Sequence, residues 1–133
     1  MSLEKFTGHL QNEYAFSGKS LILGGAMYDK KAIPGLLVRL PLATINRHGL
    51  IAGATGTGKT KSIQRITEFL SEQGVNVLLM DIKGDISGIS KAGAENPKIK
   101  ERMEMIGLPW QPCEYPTELM TISHEKGLRL RAT

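Results

Sequence analysis

Residues 53–60 read Gly-Ala-Thr-Gly-Thr-Gly-Lys-Thr and meet the pattern G-x-x-x-x-G-K-[ST] at Gly53, Gly58, Lys59 and Thr60. No other stretch constrains the fold as tightly, because a phosphate-binding (Walker A) loop works only between a strand and the first turn of a helix. Gly58 lets the backbone approach an oxygen where a Cβ would collide, and Gly53 and Gly56 open further conformations that most residues avoid. The N–H groups of Thr57 to Lys59 can then turn inward as an anion nest. A helix starting near Lys59 adds the partial positive charge of its N-terminus. The pattern predicts a nucleoside triphosphate site built from Gly53, Ala54, Thr55, Gly56, Thr57, Gly58, Lys59 and Thr60. Lys59 would set its ammonium against the β and γ phosphates and the Thr60 hydroxyl would ligate Mg²⁺, so these two are the candidate catalytic residues.

The flanks agree with that reading. Upstream, 48–52 (His-Gly-Leu-Ile-Ala) is a short apolar run suited to a buried parallel strand. Downstream, Ile63, Ile66, Phe69 and Leu70 form an apolar stripe among Lys61, Gln64, Arg65, Glu68 and Glu72, which predicts an amphipathic helix ending at Gly74. Val75-Asn-Val-Leu-Leu-Met80 reads as a second buried strand. Strand, Gly-rich turn, helix and strand together predict a right-handed βαβ unit and an α/β fold with a parallel sheet and flanking helices.

Asp81 follows four apolar residues, Val77 to Met80, and is a candidate to reach Mg²⁺ through water, which adds it to the cofactor-binding set. Two other roles stand beside this one. In one, Asp81 and Asp85 are the turn-capping acids favoured after a strand. Alternatively, Asp81-Ile-Lys-Gly-Asp85 lies at the carboxyl end of the sheet, with Lys83 near a phosphate or a neighbouring subunit.

Residues 1–44 read as an N-terminal arm with short β-strands. Positions 1–19 are polar and suit an edge strand or a loosely held arm, and Leu21–Leu23 and Leu36–Leu40 suit strands separated by Gly24-Gly25 and Pro34-Gly35 turns. Residues 45–133 read as the P-loop domain. Within it, a surface loop or short helix follows Asp85. Asn96-Pro97 supplies an N-cap and first-turn proline for a helix that lines up Ile99, Met103 and Ile106 and ends at Gly107.

Composition narrows the function classes. The single cysteine, Cys113, excludes an intramolecular disulfide, and no signal peptide or long apolar run is present, so the cytoplasm is the compartment read from sequence, with no membrane partner. His9, His48 and His124 lack metal-ligand spacing, and Cys113 sits in a proline-punctuated loop without a histidine at general-base spacing. The net charge of +4 suits an acidic partner. Aromatic content of 5% supplies no platform for stacking bases, although Lys126, Arg129 and Arg131 could line a channel.

Residues 46–60, 80–88 and 127–133 also resemble the bacterial HerA-like domain family of ATPases, relatives of the HerA and FtsK motor proteins. The resemblance implies a RecA-like P-loop core, ATP and Mg²⁺ as ligands, ATP/ADP exchange, a hexameric ring of identical subunits, and DNA as a substrate for helicase or translocase action. Residues 61–133 are too few for a RecA-like core, which needs roughly 150 after the loop at ordinary element lengths. The chain is therefore read as a truncated, N-terminal fragment, weak or inactive by itself, with the Walker B strand and arginine finger beyond Thr133. The leading function is ATP binding as part of a HerA-like ATPase. The alternatives are a non-catalytic nucleotide-binding or assembly module, and a partly folded remnant.

Overall fold

The computed structural model describes residues 1–122 and 127–130. Helix α1 spans Leu3–Glu13, strands β1 and β2 span Ser20–Tyr28 and Lys31–Pro41, and helices α2 and α3 span Lys59–Glu72 and Pro97–Met105. Two short strands, β3 (Met120–Thr121) and β4 (Leu128–Arg129), follow. Single 3-10 turns occupy Leu42–Thr44 and Ser87–Ser90.

The N-terminal segment is a helix, in place of the expected edge strand or arm. Ser2 caps it by accepting the N–H of Lys5 at 3.4 Å, and Glu4 lies in its first turn, where it complements the helix dipole. Leu3, Phe6 and Leu10 at i, i+3 and i+7 were the sequence signal for it. Phe6 meets Tyr28 with ring centroids 5.3 Å apart, which ties α1 to the end of β1.

Strands β1 and β2 form one antiparallel hairpin from Ser20↔Pro41 to Tyr28↔Lys31. The chain reverses at Asp29 and Lys30, with φ of 47° and 61°, and not at the glycine pairs. Gly24-Gly25 and Pro34-Gly35 lie inside the strands instead, where the register shifts as the ladder is interrupted by bulges. Glycine at 25 has a packing reason. A Cβ there would stand 2.5 Å from Ile106 Cγ2, so its absence lets the end of α3 rest on the hairpin. The Gly35 N–H donates to the Ile106 carbonyl at 3.2 Å and fixes that contact.

The core lies between the hairpin and α2. Leu21 is fully buried against Phe69 and Leu70, and Leu40, Leu42, Ile45 and Ile66 close around them. Burying the Phe69–Leu70 side of α2 on the hairpin stabilises a helix that at this length would be marginal alone. Val75 N–H bonding back to the Leu70 carbonyl at 2.9 Å, with Gly74 at φ 75°, closes its C-terminus. Gln64, read from sequence as a surface residue, is buried, and its Oε1 accepts from Lys61 Nζ at 2.9 Å.

The expected α/β class, a truncated RecA-like core with a parallel sheet, is not what forms. Among the described residues there are two two-stranded sheets, β1–β2 antiparallel and β3–β4 parallel. The runs at 48–52 and 75–80 adopt no strand, so the Walker B candidate Val77 to Asp81 does not lie on one. The physical reason is pairing. A strand buried in a parallel sheet needs neighbours to satisfy its N–H and C=O groups and to cover both faces. Leu50 is instead 90% exposed and Met80 92%. No helix of the described residues is long and apolar enough to cross a membrane.

Candidate functional site

The loop at 53–58 is exposed and enters α2 through two left-handed glycines, Gly56 at φ 80° and Gly58 at φ 95°. These angles carry the reason for glycine, since an L side chain at either would be strained. Thr57 braces the turn from within, its N–H and Oγ1 both directed to the Ala54 carbonyl at 3.4 and 2.8 Å. Lys59 Nζ folds back onto the same carbonyl at 2.7 Å. Gly58 is the N-cap of α2 and offers no side-chain cap, whereas Ser2 and Asn96 cap α1 and α3. The first-turn N–H groups of α2 consequently face outward without intrahelical acceptors.

Across from the loop lies the segment that carries Asp81. Its carboxylate accepts three backbone N–H groups, from Lys83 at 3.1 Å and Gly84 at 2.9 Å on Oδ1 and from Ile86 at 2.8 Å on Oδ2. The Ile86 hydrogen bond leads, joined by those of Gly84 and Lys83, in holding the Asp81 carboxyl below its ordinary value of 3.8. The capping role weighed for Asp81 is thus the one its contacts describe. Asp85, held at the far side of the same turn, accepts the Thr60 hydroxyl on Oδ2 at 3.3 Å. Between loop and turn is a cleft of about 520 Å³ lined by Gly56, Lys59, Thr60, Lys61, Lys83 and Asp85, with Asp81 in its wall.

The fold brings the two quoted motifs face to face, although they are 25 positions apart at the Thr60–Asp85 contact. Gly53 approaches its own loop closely, since a Cβ there would lie 2.6 Å from Thr57 Oγ1. The Asp85 partnership with Thr60 was not read from sequence. The only signal was a second acid in Asp81-Ile-Lys-Gly-Asp85. His9 and His48 are exposed and stand apart, as does Cys113, whose Sγ is 3.8 Å from the Glu114 carbonyl. Arg129 lies exposed on β4, whereas His124, Lys126 and Arg131 lie outside the described residues. On the far side of α2, Tyr115 donates to Glu72 at 2.7 Å. Burial first, then that carboxylate, pushes the Tyr115 phenol well above its usual range.

Residues 29–133 match the family profile described as Helicase HerA-like C-terminal. The chain belongs to this HerA-like C-terminal family. Comparison with curated proteins and with solved structures finds no match. Membership in a HerA-like C-terminal family corrects the reading as an N-terminal fragment of an ATPase. The match is to the non-catalytic C-terminal part of HerA, which overturns ATP hydrolysis, with Lys59 and Thr60 as its catalytic residues, as the function of this HerA-like chain. The terms that followed from it, ATP-binding ATPase and hydrolase, fall with it. So do the expected ligands ATP and Mg²⁺, and the expected partners ATP/ADP and DNA. Among the described residues no group of three or more His, Cys, Asp or Glu is placed to hold a metal ion, and the Thr60 hydroxyl proposed for Mg²⁺ is engaged with Asp85.

Proposed function

We propose that this HerA-like chain is a non-catalytic module whose loop at Gly53–Thr60 holds a phosphate group of its ligand without turning it over. The observation that most supports this reading is the uncapped start of α2, entered through Gly56 and Gly58 and facing a cleft that also presents Lys59, Lys61 and Lys83. Outward N–H groups at a helix N-terminus, beside ammonium groups, suit an anion of tetrahedral oxygens. Lys59 exchanges the Ala54 carbonyl for a phosphate oxygen, a stronger acceptor because it is charged. Asp81 acts as a positioning residue, keeping the Lys83–Ile86 turn closed against the cleft. The exposed lone thiol of Cys113 supports a place in the reducing cytoplasm.

Calorimetric titration with pyrophosphate in the presence of a chelator tests the proposal. Saturable binding weakened about tenfold or more in Lys59→Ala, the loss of one charge-assisted contact, is the expected result. No binding, or equal binding by both chains, overturns it. Release of phosphate from pyrophosphate during the titration would contradict the non-catalytic character.

A further inference from the structure

Resting on the phosphate-loop reading, we infer that Asp85 is a charge gate on this site, an internal anion that occupies the Thr60 hydroxyl and selects against highly charged phosphates. Thr60 lies in the first turn of α2, and its Oγ1 is 3.3 Å from Asp85 Oδ2 in the cleft that Lys59 and Lys61 also line. The contact is set up from the opposite side. Asp81 draws in the N–H groups of Lys83, Gly84 and Ile86 on both flanks of Asp85, so the carboxylate is presented by a clamped turn.

Two effects follow. A phosphate oxygen that engages Thr60 must displace the Asp85 carboxylate from it. Any bound anion also sits beside a fixed negative charge, and that repulsion grows with the charge of the anion. Asp85 therefore sets how much charge the loop accepts, while Lys59 and the α2 N-terminus provide the attraction. Each unit of like charge a few ångströms away in a solvent-exposed cleft weakens binding about five-fold.

The test is calorimetric titration of the full chain, wild type against Asp85→Asn and Asp85→Ala, with inorganic phosphate and with pyrophosphate, in chelator, at low and high salt. Asn keeps the shape and a hydrogen-bonding oxygen for Thr60 while removing the charge, and Ala removes both. The expected result is an affinity gain of about five-fold or more for pyrophosphate in both variants, smaller for phosphate and shrinking at high salt as the repulsion is screened. Unchanged or weaker binding in both variants overturns the gate and leaves the loop as a phosphate site. Failure of all three chains to bind either anion overturns the loop reading and the gate with it. Circular dichroism of the variants matching the wild type shows that the comparison is between folded chains.

Discussion

Asp81 and Gly58 show how much a single residue settles here. Asp81 has three N–H donors and no ion pair among the described contacts, so its carboxylate is a local clamp. Because its folded-state value is depressed, the stabilisation it gives is complete above the ordinary value of 3.8 and is lost as pH falls through the lower, folded value. The amide resonances of Lys83, Gly84 and Ile86 should titrate together with a midpoint below 3.8 in an NMR pH series. A midpoint at or above that value would mean that the clamp does not form in solution. Asp81→Ala should speed hydrogen exchange at the same three amides while leaving α2 unaffected. At Gly58 the motif marked glycine for close approach of the backbone to an oxygen, whereas the structure gives a different reason, a left-handed φ of 95° with open space where a Cβ would stand. For Asp81 the composition of the turn was legible and the choice among three roles was not, since that choice depends on which N–H groups the turn folds inward.

Local signals marked α2 and α3 well, missed α1, and marked the strands less well. Helix α2 was legible from its stripe and from Gly74, and α3 from Asn96-Pro97, whose side-chain oxygen accepts the N–H groups of Lys98 and Ile99 at 3.0 and 3.4 Å. A helix closes its hydrogen bonds within itself, so local residues suffice to mark it. The runs at 48–52 and 75–80 carry equally clear apolar character yet form no strand, because a strand is completed only by a partner that its own residues do not specify. The hairpin shows a third outcome. Its glycine pairs look like turns, but the reversal falls at Asp29-Lys30, where both residues take positive φ. Gly25 is kept for contact with α3. Gly25→Ala should destabilise the chain by about 1–3 kcal/mol in urea unfolding through overpacking against Ile106. Adding Ile106→Ala should recover part of the loss; no recovery would place the strain elsewhere.

Across the whole molecule, the loop at 53–60 depends on a core far from it in sequence. Leu21 on β1 meets Phe69 and Leu70 near the C-terminal end of α2, and that contact holds the helix whose N-terminus faces the cleft. Leu21→Ala should lower stability by about 3 kcal/mol in denaturant unfolding and should weaken pyrophosphate binding at temperatures where the helix begins to detach. A large loss of stability with binding intact up to the unfolding transition would show that the loop holds its shape without the core. Outside this core the surface carries apolar residues on segments without helix or strand, including Leu78 at 80% and Ile82 at 101% exposure. Hydrogen exchange should accordingly be faster at 76–80, which has no strand pairing, than along the β1–β2 ladder.

By itself the sequence determined what is local: a glycine loop leading into an amphipathic helix, and a further helix started by a proline. Each of these is encoded within a few positions by backbone freedom, capping and periodicity. Only the tertiary structure decided that the apolar runs beside the loop stay unpaired, that Gly25 receives the end of α3, and that Asp85 faces Thr60. Those outcomes depend on which distant segments supply hydrogen-bond partners and covering surface, and no short window of sequence contains that information.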